Sequence, residues 1–375
     1  MSYWMLNYIM ITAASIFFGA LIIPNILLIA FRCHLYDEPD GRKIHKGVIP
    51  RLGGISFLPS LGVALTLTIG LNMRFCGSEM GEALGGNALT LLFLAAALLI
   101  IYVLGIADDL IGVRYRAKFL YQVVAGILIV SSGLWINDLY GFLWIDRVPD
   151  WLGIGLTIFV IIYVLNAMNL IDGIDGLASG LSIVALGWYS YLFYNAQDYI
   201  SLLLAGAALG TIIPFFYYNV FGKAATHTKI FMGDTGSLTI GLILVYLSLK
   251  IMSLTPDGAE ADHNLLILAI VPLLLPCFDV VRVFMHRVRE GRNPFLPDKS
   301  HIHHKLLALG FRQSKALIII LISDAILIML NYLASSCVDA TWIIACDIII
   351  WTLLNLGLTS SIRRREKETG ERLYN

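Results

Sequence analysis

The sequence predicts an all-α, polytopic integral membrane protein with ten to eleven transmembrane helices, and three observations lead there. Of 375 residues, 58% are hydrophobic and only 14% are charged, whereas soluble domains carry about 25% charged residues. The mean hydropathy is +0.80. Apolar runs also repeatedly reach the roughly 20 residues that cross a hydrocarbon core. The formal net charge is zero, so the overall balance names no partner, and no nucleic-acid partner is expected. The five cysteines, Cys33, Cys76, Cys277, Cys337 and Cys346, stand singly. That spacing argues against a disulfide framework and a zinc ribbon.

Taken in order, the apolar runs predict eleven spans. The first, 4–30, follows no basic segment and already has full span length, so it reads as a helix and not as a cleaved leader. The second, 51–72, begins at "RLGG"; the third, 87–106, runs into "GIADDL"; the fourth, 118–136, starts at Lys118. Spans 151–168 and 177–195 flank "NLIDGIDG", and 200–218 follows. Span 235–252 opens on "GDTGS", 264–285 and 313–334 flank "PDKSHIHH", and 341–360 precedes "RRREK". Pro24, Pro59, Pro214, Pro272 and Pro276 are expected as kinks. Trp4, Trp151 and Trp342, near span ends, are expected as interfacial anchors. With no internal repeat, residues 1–360 read as one transmembrane catalytic domain and 361–375 as a basic cytoplasmic tail.

Charge placement predicts orientation. The segments 31–51, 107–118, 219–234, 282–315 and 361–375 hold 23 of the 26 lysines and arginines, leaving only Arg74, Arg147 and Lys250 for the other side. The basic side is expected to be cytoplasmic, with the N-terminus outside and the C-terminus inside.

Four polar motifs collect on that same side. In "GIADDLIGVRYRAKF", Asp108 and Asp109 are adjacent and Lys118 follows. Two ionised neighbours repel unless a cation lies close. A solvated loop fits, and so does a magnesium or phosphate site built on hard oxygen ligands. In "NAMNLIDGIDGLASG", Asn169, Asp172 and Asp175 recur every third residue, while Gly173 and Gly176 favour a turn. The helix is expected to end near Asn169 and an irregular loop to present these groups. A plain hairpin needs one Asp or Gly, not this density. In "IFMGDTGSLTIG", Asp234 opens a span, where Asp is a favoured N-cap. The same place offers free amides and a helix dipole to a phosphate, and a carboxylate there accepts an anion only across a divalent ion. "PDKSHIHHKL" brings His301, His303 and His304 beside Lys299 and Lys305. Zinc lacks a cysteine or an HExxH here; phosphate oxygens suit such histidines better, and a plain surface loop also fits. Finally, "DEPDGRKIHKGVIPRLGG" carries Arg42, Lys43, Lys46 and Arg51 among glycines and prolines. It reads equally as a cap over an anionic substrate and as a topology determinant. Asp279 and Arg282, three apart, are expected to pair and to lie near the site.

In this order and spacing, from about Arg42 to His304, the motifs resemble the polyprenyl-phosphate N-acetylhexosamine-1-phosphate transferase superfamily, of glycosyltransferase 4 type. "NPFLPDKSHIHHKL" looks like the UDP-GlcNAc:undecaprenyl-phosphate GlcNAc-1-phosphate transferase branch. The phospho-MurNAc-pentapeptide translocase branch tends to carry three consecutive histidines instead. The resemblance implies Mg²⁺, or Mn²⁺ in its place, ligated by Asn169 and Asp234. It implies that Asp108 and Asp109 act beside the reacting phosphates, and Asp172 is counted with them as catalytic. Lys118 with His301, His303 and His304 is implied at the donor pyrophosphate, Asp175 and the Gly173–Gly176 turn at the uracil, and Lys46 over the nucleotide. It further implies a homodimer.

The expected reaction follows. An oxygen of undecaprenyl (polyprenyl) phosphate attacks the β-phosphorus of a UDP-N-acetylhexosamine, UMP leaves, and a lipid diphospho-sugar forms at the cytoplasmic face of the inner membrane, among membrane lipid. A phosphate monoester has its second pKa near 6, so roughly nine tenths of the acceptor is already dianionic around pH 7 and a strict general base is not required. A covalent aspartyl step is the alternative. A sister enzyme using a 6-deoxyhexosamine or MurNAc-pentapeptide donor is the nearer rival reading. A secondary transporter of an anionic solute is the distant one. Transporter sites lie near the midplane, whereas these motifs all sit at span ends.

Overall fold

The computed structural model describes residues 2–36, 48–75, 78–254, 264–289, 291 and 301–370. Every expected span is a helix: α1 (Tyr3–Arg32), α2 (Phe57–Phe75), α3 (Ser78–Ile111), α4 (Tyr115–Ser131), α5 (Asp150–Ile171), α6 (Leu177–Asn195), α7 (Tyr199–Val220), α8 (Gly233–Met252), α9 (Leu265–Arg289), α11 (Gln313–Ala334) and α12 (Ala340–Thr369), with the short α10 (Ile302–Ala308) before α11. Among the described residues there is no strand, only an isolated bridge between Asp138 and Arg147. Among the described residues ten helices are long and apolar enough to cross a membrane, so the chain is a multi-pass membrane protein. The eleventh, α4, has 17 residues, or about 25 Å of helix.

The differences from the expected boundaries have local causes. The fourth span was expected to reach residue 136 but ends at Ser131, because Ser132 closes the helix and Gly133 turns left-handed at φ +89°. The chain then packs back onto α5, where the Ile136 amide donates to Thr157 Oγ1 at 2.9 Å. The second span starts as a 3-10 turn, Gly53–Ser56. α3 has 34 residues, and α5 runs on to Ile171, past Asn169. α12 continues through Thr369, so most of the basic segment after residue 360 extends that helix. Pro24, Pro214, Pro272 and Pro276 lie inside helices. Trp151 and Trp342 are exposed, whereas Trp4 stacks on Tyr199 at 4.4 Å.

α8 is the axis of the fold. It is enclosed along nearly its whole apolar length, whereas α12 is mostly exposed. Small residues make this possible by letting backbones approach closely. Gly105 of α3 lies against Thr235, where a Cβ would come within 2.4 Å of the Thr235 Cα. The "PRLGG" segment lies along the strand-like entry to α8: the Phe231 amide donates to the Pro50 carbonyl, and the Gly53 and Gly54 amides donate to the Phe231 and Met232 carbonyls, each at 2.9 Å. Gly54 is pressed so closely on Gly236 that a Cβ there would stand 2.0 Å from the Gly236 nitrogen.

That contact is backbone on backbone and cannot yield by a rotamer change. Gly54→Ala is therefore expected to destabilise by about 1–3 kcal/mol. Gly62→Ala, with nothing within 4 Å of the added carbon, is expected to stay within about 0.5 kcal/mol of wild type. Thermal unfolding of the two variants in detergent measures the difference.

Candidate functional site

The ends that carry the motifs meet at one pole of the bundle. The first contact is a helix cap made from a distance. Asp109, in the last turn of α3, accepts from the Asp234 amide at 2.7 Å, the Thr235 amide at 2.9 Å and the Thr235 hydroxyl at 2.6 Å. The N-terminus of a buried helix leaves amides without water, and a carboxylate satisfies both them and the dipole. Asp234 is the second residue of α8 and not its N-cap, and the cap comes from 125 residues away. Two of the amides expected to be free for phosphate are thereby occupied.

Asp108 closes the other end of the same turn by accepting from the Val113 amide at 2.6 Å. Its second oxygen meets the Lys118 ammonium, which also donates to Asp234 Oδ2 at 2.7 Å. Lys118 therefore bridges carboxylates from α3 and α8. Asn169, on the last turn of α5, donates to Ser237 Oγ at 2.9 Å and its amide also faces the Asp234 carboxylate. Asp172 caps α5. Burial pushes its carboxyl up to about 7, the negative charges of Asp175 and Asp234 add to this, and Arg51 opposes it. Asp108, Asp109, Lys118, Asn169, Asp172 and Asp234 thus lie together.

The remaining candidates form the next wall. Asp175 pairs with Lys229 at 2.5 Å. Gly173 presses on His303, where a Cβ would be 2.2 Å from Nε2. His303 is 1% exposed, neither ring nitrogen has a partner among the described residues, and burial with the neighbouring His304 drives its pKa down to about 3. It is a neutral imidazole packed on the turn. His301 is held by Asp279 at 2.8 Å and stacks on His303 at 5.7 Å. His304 is half-buried, its ring 4.2 Å from that of His303. Lys305, the lysine next to these histidines, turns away from them: it is 4% exposed and donates to Asn355 Oδ1 and Thr359 Oγ1 of α12, each at 3.0 Å. Lys46, Arg42, Lys43 and Lys299 lie outside the described residues.

Three contributors were not legible as site residues. Lys229 counted only as a topology charge, and its place five residues before Asp234 was the available signal. Thr235 and Ser237 carry no local signal for such a role, yet they bond Asp109 and Asn169.

The donors suit a hard cation. Among the described residues no group of three or more His, Cys, Asp or Glu closes into a metal cage. Magnesium does not need one, because it is usually held by one or two carboxylates, waters and substrate phosphates. Asp108, Asp234 and the Asn169 amide supply that kind of open oxygen set, and the meeting of Asp108 and Asp234 on the Lys118 ammonium shows that the spot already attracts positive charge.

Residues 91–252 match the family described as glycosyl transferase family 4, a stretch that contains Asp108, Asp109, Asp172, Asp175 and Asp234. The chain is 31% identical over 305 residues to an undecaprenyl-phosphate alpha-N-acetylglucosaminyl 1-phosphate transferase from Yersinia pestis, covering 81% of this chain and 78% of the relative. It is 31% identical over 318 residues to a probable undecaprenyl-phosphate N-acetylglucosaminyl 1-phosphate transferase from Bacillus subtilis, covering 84% and 82%. It is 32% identical over 335 residues to a decaprenyl-phosphate N-acetylglucosaminephosphotransferase from Mycolicibacterium smegmatis, covering 83% and 77%.

Two outcomes follow from this geometry. Asp109→Ala removes the cap of α8 and is expected to lower stability by about 1–2 kcal/mol in thermal or denaturant unfolding. Asp172 holds a proton in the folded protein that the unfolded chain has released, so in chelator-treated protein its contribution to stability falls as pH rises from 3.8 to about 7. Asp172→Asn is expected to flatten the pH dependence of the unfolding midpoint across that window, with the variant gaining most above it. A wild-type-like slope contradicts the assignment.

Proposed function

The chain belongs to glycosyl transferase family 4, and from that premise we propose that it transfers N-acetylglucosamine 1-phosphate from UDP-N-acetylglucosamine to a polyprenyl phosphate, with undecaprenyl phosphate the expected acceptor and UMP the leaving group. The reading places the site at the cytoplasmic face of the inner membrane, with the N-terminus outside and the C-terminus inside. The bias of lysine and arginine toward the motif-bearing side supports this orientation. The observation that carries the reading is the bridge of Lys118 between Asp108 and Asp234 at the pole where Asn169 and Asp172 also gather.

The chemistry asks for little proton transfer. An acceptor phosphate oxygen forms a bond to the β-phosphorus, the bond from that phosphorus to the UMP oxygen breaks, and UMP departs with the electron pair. The acceptor is about nine tenths dianionic near pH 7, so no residue has to deprotonate it. Asp109, filled by three hydrogen bonds from the start of α8, holds Asp234 in place and does not act as a base. Lys118 already bridges Asp108 and Asp234. It turns toward the phosphates and neutralises charge as the two anions approach. Asp234, Asn169 and Asp108 would hold Mg²⁺, which when bound would supply further charge neutralisation at the departing UMP oxygen. Asp175 with Lys229, and the Gly173 turn with His303, form the wall where the nucleotide is placed.

Purified protein with Mg²⁺, undecaprenyl phosphate and a panel of UDP-sugars is expected to release UMP with UDP-N-acetylglucosamine, and chelator is expected to abolish release. No UMP from any donor removes the proposal; release only with a muramyl-peptide or 6-deoxyhexosamine donor corrects its substrate. Lys118→Met is expected to lower kcat about 100- to 1000-fold, the loss typical of removing one charge-stabilising donor.

A further inference from the structure

The histidine segment is anchored from below by one buried carboxylate. Asp279 of α9 is 0% exposed, and both its oxygens are filled. Oδ1 accepts from Arg282 Nη2 at 2.9 Å, from Arg282 Nε at 3.3 Å and from the Ile302 amide at 3.1 Å, while Oδ2 meets His301 Nδ1 at 2.8 Å. Arg282 supplies the opposite charge that a buried carboxylate needs. From this anchor a continuous chain of contacts leads to the site. The His301 ring lies parallel to that of His303, 5.7 Å away and 4° from coplanar orientation. His303 in turn packs on Gly173, between Asp172 and Asp175.

We infer that Asp279 is a positioning residue for the nucleotide-sugar side of the site: it fixes His301 with Nδ1 toward α9, and so sets where His303 meets the Gly173 turn. This rests on the proposed function for its substrate and on the geometry for its assignment. A carboxylate is required because all its partners are donors. A neutral imidazole gives its Nδ1 proton to the carboxylate, and that fixes the tautomer. An amide at the same position turns an NH₂ toward either Arg282 or His301, so one contact is lost in either flip.

The test uses the full chain with UDP-N-acetylglucosamine and undecaprenyl phosphate varied separately. Asp279→Asn is expected to raise KM for the nucleotide sugar about tenfold, as loss of a partner that orients a binding histidine does, and to leave KM for the lipid phosphate unchanged. His301→Asn raises it similarly, and the double variant raises it no further than either single one, because both remove the same link. Equal increases in both KM values, or additive effects in the double variant, overturn the inference. If Asp279→Asn does not fold, Arg282→Lys keeps the charge but loses the guanidinium fork; a rise of about threefold in the nucleotide-sugar KM is then expected, and no change overturns the inference. The ¹⁵N shifts of the His301 ring read the tautomer without any turnover. Protonated Nδ1 in wild type and a mixed tautomer in Asp279→Asn support the assignment, and an unchanged tautomer defeats it. Wild type that releases no UMP counts against the proposed function alone, because the tautomer readout still decides Asp279.

Discussion

A buried helix N-terminus has to be satisfied by something other than water, and the site is built around that constraint. α8 is enclosed along nearly its whole length, so its first amides have no solvent to bond. Asp109 fills that role from α3. Once this carboxylate is fixed, its neighbour Asp108 is fixed as well, and Lys118 must stand where it can reach both Asp108 and Asp234. The glycines at 54, 105 and 236 serve the same end, because any side chain there would hold the capping helix or the PRLGG segment away from α8. Packing and electrostatics thus specify one arrangement.

Charge at this pole is distributed in small, locally balanced units. Lys118 serves two acids, Lys229 serves Asp175, and Arg282 with His301 serves Asp279. Asp172 stands apart from this balance: its carboxyl is flanked by Asp175, Asp234 and Asp109, with Arg51 as the opposing charge. Its pKa is raised first by burial and then by these neighbouring acids, which make its part of the pole locally negative. Such a pole favours a cation and, through it, a phosphate.

Much of this was legible in the sequence, for a physical reason. Hydrocarbon imposes a length and a composition on whatever crosses it, so each span stood out, and the motifs stood out as polar interruptions at their ends. Helix limits were less legible, because they depend on single turn residues such as Gly133 and on whether a basic stretch such as 361–369 continues a helix. Within the site, the acids were visible from their density, but their partners were not. The Asp109 cap, the Asp175–Lys229 pair and the Lys305–Asn355 contact join residues 125, 54 and 50 positions apart. Nothing local in "THTKIF" or "HHKL" announces which distant group will meet each lysine.

α3 has one further consequence. Its 34 residues make a rod about 51 Å long, whereas the hydrocarbon layer is about 30 Å thick. Its final turn can therefore emerge among the lipid headgroups with Asp108 and Asp109 aboard. A phosphate tethered to a long isoprenoid already rests at that depth. The reaction can take place with the tail still dissolved in its leaflet, so neither extraction of the carrier nor burial of a naked carboxylate in oil is demanded of the enzyme.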